Sequence, residues 1–446
     1  MLKEAISDGA MFDSAQRYPA GTCHPGTRET VIKLIMEWIE HSPPETGVLW
    51  LYGPAGAGKS SIMQKIAELL RQMQSPFYAG SFFFARDIPE RERSSALFLT
   101  LAYQIAHYIP GMAKLVNEVM ISQPSVTTKT MEVQSQLLII EPLKALLPQS
   151  PPAHVNSPIV IVDGLDECDT PVQQQGILSC IADAVSKHRV HLRFLIASRP
   201  EFWIDRSFSS VPLKDATRTI CLNDFEYEST KDIQTFLRDG FAKILDQNPD
   251  VMSGVMKPWP STTIIDHFTA MASCQFVYAS TILKFIGDYT DDFLDPQTKL
   301  NILLELDRDE RKPAFSSLDQ LYKKILTVYP RKDTLKTVLG GILANIGPTA
   351  LHIFMGINKN ETSMVLRAIS SLIKVTTEAF KPNGDADLDA FLGIPDPCIQ
   401  YCHRSFPEFL EDERRSGEFS MKTESFSDHL VDRAFDWLLK GITDVS

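Results

Sequence analysis

Hydrophobic residues in the first half of the chain form short runs, and longer amphipathic stretches separate these runs. The runs are apolar on both faces of an extended segment, which predicts buried strands at Val48–Tyr52, Phe77–Phe84, Ile159–Val162, Leu192–Ala197 and Thr219–Leu222. Between them apolar residues recur at helical spacing, which predicts helices at Ser60–Met73, Arg93–Tyr108, Met131–Leu147 and Val172–Lys187. Such strands alternating with helices predict a parallel sheet that is covered by helices on both faces.

The second half of the chain has a different pattern. Beyond about Asp224 the strand signals end and helical periodicity continues to Tyr329, which predicts a small helical domain. From Arg331 onward two helical stretches precede a loop rich in Pro, Gly and Asp and a short apolar run, in the order expected of a winged helix. These elements lie at Thr334–Asn345, Glu361–Ile373, Lys381–Asp389 and Cys398–Tyr401, and a last amphipathic helix is predicted at Phe426–Leu439.

The predicted organisation therefore has four parts. An irregular segment occupies 1–27, and an α/β domain occupies 28–223 with its core at 47–200. A helical domain follows at 224–330, and a winged-helix-like domain with the C-terminal helix occupies 331–446. A chain of 446 residues is long enough for several domains with their own cores.

The turn after the first predicted strand carries the most specific motif in the sequence. Residues 53–60 read GPAGAGKS and fit G-x-x-x-x-G-K-[ST] in full. Glycines let backbone N–H groups turn toward phosphate oxygens, and the helix that follows presents its unpaired N–H groups to the same anion. The lysine adds a positive charge for the β- and γ-phosphates, and the serine hydroxyl is a ligand for Mg²⁺. The predicted nucleotide-binding residues are Gly53, Pro54, Ala55, Gly56, Ala57, Gly58, Lys59, Ser60 and Ser61.

Acidic residues follow the third predicted strand. The apolar run ends in Asp163, and Asp166 and Glu167 lie on the exit loop. Because the carboxyl end of this strand shares a sheet edge with the glycine-rich turn, Asp163 is expected to bind Mg²⁺ through a water molecule, together with Ser60. Asp166 or Glu167 is expected to orient or deprotonate an attacking water. The alternative is that these two acids only cap the next helix.

A further candidate follows the fourth predicted strand, where the chain reads LIASRP at 195–200. An arginine at this strand end would lie near a γ-phosphate and sense it, so Arg199 is a predicted catalytic residue with Asp166 and Glu167. The alternative is a surface arginine before a turn forced by Pro200. Together these motifs predict an α/β fold with the parallel sheet of a P-loop NTPase, followed by a small helical domain and a winged-helix-like domain.

The three motifs GPAGAGKS, IVIVDGLDE and LIASRPE together resemble the NACHT class of STAND P-loop NTPases. Three further segments resemble its fungal NOD-like-receptor branch, which is described by its similarity to the N-terminal region of nephrocystin-3. These segments are CHPGTRETV (Cys23–Val31), GSFFFAR (Gly80–Arg86) and VYASTILKFI (Val277–Ile286).

Residues 400–410, QYCHRSFPEFL, resemble the H-x-S-F-x-x-F-L end of the winged-helix domain in these proteins. In the family, a histidine here contacts the β-phosphate of ADP and holds a closed, inactive form, so the resemblance implies this role for His403. The alternative is a buried histidine that is hydrogen-bonded within the wing. The helical domain departs from the family, because Ser273–Phe276 stands where a Gly-x-Pro adenine-side motif is sought.

Composition and charge narrow the classes of partner. Lys and Arg total 44 against 56 Asp and Glu, and the resulting charge of −12 argues against broad nucleic-acid binding, so no direct nucleic-acid partner is predicted. The 7 cysteines show no regular framework, which indicates a reducing, cytoplasmic setting. The N-terminus lacks the apolar core of a signal peptide, and Gly347-Pro348 breaks Thr337–Asn358, which is otherwise long enough to span a membrane.

The resemblance implies an ATP/ADP-dependent signalling switch with slow ATP hydrolysis, in fungal innate-immunity or cell-death signalling. It also implies self-association in the ATP state and an effector or sensor partner that the sequence does not identify. A productive P-loop ATPase or kinase-type enzyme and a nucleotide-free scaffold stay open as alternatives. No repeat array or effector domain is recognised, which is expected of a solitary switch module, of a member without its sensor, or of a fragment of a longer gene.

Overall fold

The structure is a computed structural model of the chain. It describes residues 2–18, 21–41, 46–73, 77–86, 88–146, 157–288, 294–304, 317–344, 352, 357–379 and 397–421. The chain divides into two compact units, Met1–Asp232 and Ile233–Ser446. The finer predicted boundaries between an α/β, a helical and a winged-helix-like domain stay predictions.

A parallel sheet of five strands forms the centre of the first unit, in the order β2–β3–β4–β1–β5. The strands are β1 (Val48–Tyr52), β2 (Tyr78–Phe83), β3 (Ile159–Asp163), β4 (Arg193–Ser198) and β5 (Thr217–Cys221). Each of them overlaps a predicted strand, so the predicted fold class is confirmed. In the register of the sheet, Asp163 lies opposite Phe83 on one side and Ala197 on the other. The carboxyl ends of these strands therefore meet at one edge.

Helices surround the sheet of the first unit. They are α1 (Glu29–His41), α2 (Lys59–Gln72), α3 (Pro89–Glu92), α4 (Leu97–Tyr108), α5 (Met112–Ser122), α6 (Met131–Ser135), α7 (Glu141–Leu146), α8 (Pro171–Ala182), α9 (Phe202–Phe208) and α10 (Leu213–Ala216). A π-helical turn, Gln136–Ile140, joins α6 to α7, so the helix predicted here is continuous but irregular over the described residues 131–146. Helices α3, α5, α9 and α10 were not predicted. The N-terminal segment forms 3-10 turns at Leu2–Glu4, Asp8–Ala10 and Ala15–Arg17.

Alternate residues of β1, β2, β3 and β4 are buried on opposite faces of the sheet, whereas β5 is partly exposed. Leu49 and Leu51 lie in one hydrophobic cluster with α1 and α2, whereas Trp50 and Val162 lie in a second cluster with α4 and α5. Burying an aliphatic side chain of this size contributes about 1.5–3 kcal/mol. This two-sided burial explains why the strands read as continuous apolar runs.

The second unit consists of helices and one antiparallel hairpin. Helix α11 (Glu226–Gln247) begins in the first unit and continues into the second. It is followed by α12 (Thr262–Ala272), α13 (Phe276–Gly287), α14 (Pro296–Leu304), α15 (Ser317–Val328), α16 (Lys332–Leu343), α17 (Lys359–Ala368), β6 (Ile373–Ala379), β7 (Pro397–Tyr401), α18 (Ser405–Glu411) and α19 (Glu413–Ser416).

The order α16, α17, β6, β7 matches the helix, helix and hairpin of the predicted winged helix. The helix predicted to reach Ile373 ends at Ala368, because Ile373 already pairs with Tyr401 in the hairpin. The predicted loop at 381–389 and the predicted helix at 426–439 lie outside the described residues. Among the residues that the structure describes, no helix combines the length and the apolar character needed to cross a membrane.

Candidate functional site

The glycine-rich turn joins β1 to α2 as the sequence predicted. Gly56 and Gly58 adopt φ values of +73° and +89°, which a side chain would strain. Gly58 also caps α2, whose first N–H groups have no intrahelical partner and form an anion-binding end. The ammonium of Lys59 donates to the carbonyl oxygens of Gly53 at 2.8 Å and Pro54 at 2.9 Å. The turn thus has the backbone conformation of a phosphate-binding loop.

Burial of Lys59 has an electrostatic consequence. Desolvation lowers the pKa of its ammonium, and the nearby carboxylates of Asp166 and Asp163 raise it in part. A phosphate would give this cation a stronger, charge-assisted partner than the two neutral carbonyls.

Asp163 ends β3 and is almost completely buried. Burial raises the pKa of its carboxyl, while a hydrogen bond from Ser60 and the charges of Arg17 and Lys59 lower it in part. Its Oδ1 atom has no hydrogen-bond partner among the described residues. A buried carboxylate oxygen of this kind fits a hard divalent cation, and the Ser60 hydroxyl supplies a second oxygen beside it. The donor set that the sequence predicted for Mg²⁺ is therefore brought together.

Asp166 and Glu167 lie in a 3-10 turn, Leu165–Glu167, directly after Gly164. They do not cap the next helix, because α8 begins after Thr170, whose hydroxyl accepts the N–H of Gln173. The alternative that Asp166 and Glu167 only cap the next helix is therefore wrong.

Asp166 instead pairs with Arg199, the other predicted catalytic residue. Its Oδ1 accepts the backbone N–H of Arg199 at 3.0 Å, and its Oδ2 lies 3.3 Å from the Arg199 Nε. The Arg199 side chain is only 21% exposed, which disagrees with the alternative of a surface arginine. The structure thus brings together Lys59, Asp163, Asp166 and Arg199, while their catalytic roles stay predictions.

Two half-buried arginines belong to this edge and were missed by sequence reasoning. Arg17, in the segment predicted to be irregular, stacks its guanidinium on the Phe83 ring at 3.5 Å and donates to the Gln64 Oε1 at 3.1 Å. Burial and the charge of Arg91 lower the Arg17 pKa to about 9, and Asp163 raises it in part, so Arg17 stays protonated at neutral pH. Arg91 donates through Nε to the Phe83 carbonyl at 3.0 Å.

No motif links these arginines to the nucleotide-binding loop. Burial lowers the pKa of Arg91, and Glu167 and Asp163 raise it in part. Glu167 also accepts the backbone N–H of Arg86 through its Oε2 at 3.3 Å. Arg86, at the end of GSFFFAR, also reaches this edge, because its side chain donates to the Asp166 carbonyl oxygen at 3.4 Å.

His403 belongs to the second unit. Its Nδ1 accepts the backbone N–H of Ser405 at 3.1 Å and lies 2.7 Å from the Ser405 hydroxyl. That hydroxyl lies 2.7 Å from the Tyr322 hydroxyl, so a chain of hydrogen bonds anchors the histidine within its own unit. These contacts agree with the alternative of a hydrogen-bonded histidine, and the ADP contact implied for His403 stays a prediction.

The parallel sheet, the phosphate-binding loop after β1 and the acidic end of β3 define a P-loop NTPase fold. Residues 26–199 match the family model described as Nephrocystin 3, N-terminal. The resemblance to this region is therefore confirmed over that segment, which is less than half of the chain. Membership of the NACHT and STAND classes and of the fungal branch stays a prediction. No curated protein matches the chain.

Several solved structures are similar over most of the chain, although only weakly. The structure of Drosophila ORC bound to DNA has a TM-score of 0.39 and 12% identity, covering 92% of this chain and 98% of the other. Aeropyrum pernix ORC1 in complex with DNA has a TM-score of 0.35 and 12% identity, with coverages of 88% and 93%. Aeropyrum pernix ORC2, in ADPNP-ADP complexes, has a TM-score of 0.35 and 9% identity, with coverages of 97% and 100%. Likeness at this level carries no argument about activity.

The predicted set of partners requires a correction. The prediction of no direct nucleic-acid partner is wrong as an exclusion, since two of these similar structures are themselves bound to DNA. The net charge of −12 is a sum over the whole chain and does not determine the charge of any one surface. The predicted self-association in the ATP state finds no support in these comparisons and is not retained.

Proposed function

We propose that the chain is a nucleotide-dependent switch of the NACHT type, which binds ATP or ADP with Mg²⁺ and hydrolyses ATP slowly. The observation that carries the proposal is the buried Asp163 carboxylate, which lies beside Ser60 at the edge that holds the phosphate-binding loop. A buried acceptor without a hydrogen-bond donor destabilises a protein by about 1–3 kcal/mol unless a partner compensates. Mg²⁺ held by Ser60 and Asp163 would neutralise phosphate charge at this edge.

The phosphate-binding loop supplies the remaining groups. The N–H groups at the start of α2 point toward an anion, and Gly58 leaves the approach open because no atom lies within 4 Å of where its Cβ would be. Lys59 would exchange two carbonyl acceptors for phosphate oxygens, and hydrogen bonds to a charged acceptor are roughly twice as strong. This exchange favours retention of bound nucleotide.

The Asp166–Arg199 pair favours a switch over a fast enzyme. The Oδ1 atom of Asp166 accepts the backbone N–H of Arg199 and its Oδ2 atom pairs with the Arg199 side chain, so movement of that side chain would free Oδ2 to orient a water. A γ-phosphate would compete with Asp166 for the same guanidinium. ATP and ADP would then select different partners for Arg199, which is the differential contact that a two-state element requires. The setting implied by the resemblance, fungal innate-immunity or cell-death signalling, stays a prediction.

The test is to identify the nucleotide that co-purifies with the full chain. We expect near-stoichiometric ADP by mass spectrometry on wild type and little nucleotide on Lys59→Ala. Lys65→Ala is the matched control, because Lys65 lies on the same helix more than one turn beyond Lys59. Folded wild type that neither retains nor binds ADP or ATP would contradict the proposal and favour the scaffold alternative.

Turnover separates the other alternative. We expect steady-state ATP hydrolysis far below the ~10 s⁻¹ that is typical of enzymes. A rate near that value, measured by phosphate release at saturating ATP and Mg²⁺, would favour a productive ATPase.

A further inference from the structure

Arg28 is a buried arginine with an unusual backbone conformation. It precedes α1, adopts φ +59° and is 4% exposed. Its carbonyl accepts the N–H of Ile32 at 3.0 Å and so caps the helix. A left-handed conformation at a residue other than glycine persists only where the surrounding contacts hold it. Arg28 has three such contacts, which are hydrogen bonds to Ala57, Ser229 and Asp232.

The hydrogen bonds of Arg28 join segments that are distant in the sequence. Its Nη2 donates to the carbonyl oxygen of Ala57 in the phosphate-binding loop at 2.7 Å. Its Nη1 donates to the hydroxyl of Ser229 at 2.5 Å, and its backbone N–H donates to the Asp232 Oδ2 at 2.8 Å. Ser229 is also buried, and both acceptors lie in the first two turns of α11. One residue therefore connects the loop to the start of this helix.

The bond to Ala57 fixes the orientation of a peptide group that phosphate binding depends on. The Ala57 carbonyl and the Gly58 N–H belong to one planar trans peptide, so they point in opposite directions. By holding the carbonyl on its own side, Arg28 turns the Gly58 N–H to the other side, where the loop presents its donors to an anion. Gly58 tolerates this orientation of the peptide because a glycine adopts its φ of +89° without side-chain strain.

We propose that Arg28 is a positioning residue that couples phosphate binding in the loop to the order of the first turns of α11. The coupling rests on the nucleotide binding proposed above. A phosphate that accepts from the Gly58 N–H would fix the orientation of the Ala57–Gly58 peptide. The Ala57 carbonyl would then fix the position of the Arg28 guanidinium, which in turn donates to the Ser229 hydroxyl. Since α11 is the helix in which the chain passes from the first unit into the second, nucleotide occupancy is thereby transmitted to the start of that helix.

Hydrogen exchange on the full chain, with ADP and Mg²⁺ as the probe, tests the coupling. In wild type we expect ADP to slow exchange of the amides in the first turns of α11 at least threefold. Ser229→Ala removes the acceptor of the Arg28 guanidinium on α11 and leaves the Arg28–Ala57 bond, so ADP affinity should stay within about twofold while the protection is lost. Ser207→Ala is the matched control, because its hydroxyl bonds only within α9 among the contacts described.

Arg28→Met removes both side-chain bonds and should weaken ADP binding at least tenfold, with Arg28→Lys partly restoring it. The Ser229→Ala arm keeps the test decisive if Arg28→Met does not fold. Full ADP-dependent protection in Ser229→Ala would overturn the coupling, as would wild-type ADP affinity in folded Arg28→Met. ADP binding without protection of α11 in wild type overturns the coupling alone, whereas absence of ADP binding overturns the proposed function with it.

Discussion

Asp163→Asn should separate the stability of the protein from its binding of metal and nucleotide. Burial raises the pKa of Asp163 above its value in the unfolded chain, even with Ser60, Arg17 and Lys59 opposing that shift. The neutral form is therefore favoured in the folded state. The stabilising contribution is fully present below the unfolded pKa of about 4 and is lost as the pH rises through the folded pKa. An asparagine keeps the neutral form at every pH.

The magnitude follows from burial of the Asp163 charge, which raises the pKa of the carboxyl and so destabilises its ionised form in the folded state. Each unit by which folding raises a pKa corresponds to about 1.4 kcal/mol. Asp163→Asn removes the charge, so we expect it to raise the free energy of unfolding by an amount of this order at pH 7.5 in the absence of nucleotide. For a unit of this size, each 1 kcal/mol raises Tm by about 2–4 °C. Affinity for nucleotide that depends on Mg²⁺ should fall at least tenfold, because the asparagine amide is a poor ligand for this ion.

Thermal unfolding at pH 7.5 and pH 5, with and without Mg²⁺ and ADP, measures both effects. The gain of the variant over wild type should shrink as the pH falls, since wild-type Asp163 then becomes neutral as well. Asp215→Asn is the control, because Asp215 is exposed on α10 and should show no comparable gain. A variant that is less stable than wild type at pH 7.5 would refute the reasoning. It would mean that attraction between the Asp163 carboxylate and Arg17 stabilises the folded state by more than burial of the carboxylate charge destabilises it.

Three further substitutions test the site at other positions. Gly164→Ala should destabilise the first unit by about 1–2 kcal/mol, because φ is +70° and the Phe84 carbonyl oxygen lies 3.3 Å from the new Cβ. Chemical denaturation measures this change in stability, and an unchanged denaturation midpoint would contradict it. Arg199→Ala should leave ADP affinity within about threefold and remove any preference for ATP, which competition binding reports; a retained preference would exclude Arg199 as the sensor. His403→Ala should weaken ADP retention if the implied contact holds, whereas a lower Tm at unchanged ADP affinity would assign the histidine to its hydrogen bond with Ser405.

The parallel sheet could be predicted because two-sided burial leaves continuous apolar runs, and every predicted strand overlaps an observed one. The phosphate-binding loop could be predicted because its chemistry is contained in eight consecutive residues. Helix α5 has buried residues at Met112, Val116 and Met120, which is helical spacing, but the stripe is narrow and easily missed. The helix predicted to reach Ile373 illustrates the opposite error, since pairing with a strand distant in sequence overrides local periodicity.

The positions of Arg17, which is half-buried, and Arg28, which is buried, could not be predicted, for a different physical reason. Arg17 and Arg28 lie in a segment rich in turns, where no periodicity marks one side chain as buried. Their partners, including Gln64 and Ser229, are fixed only when the sheet and its helices assemble. A lone arginine in a loop is usually exposed, and the sequence offers no contrary signal at either position. Such residues become visible only through the contacts of the folded chain.

Local charge, and not the total of −12, governs what this edge of the sheet accepts. The charged side chains that interact there include the cations Arg17, Lys59, Arg91 and Arg199 and the acids Asp13, Asp163, Asp166 and Glu167. Four cations balance four acids (4 − 4 = 0), so this edge does not share the acidic excess of the whole chain, and Lys59 and the N–H groups at the start of α2 can attract an anionic phosphate group. Screening limits the influence of distant surface charges to about 8 Å at physiological ionic strength, whereas buried groups are screened much less. A whole-chain charge is therefore a poor guide both to the ligand of this edge and to the partners of any other face.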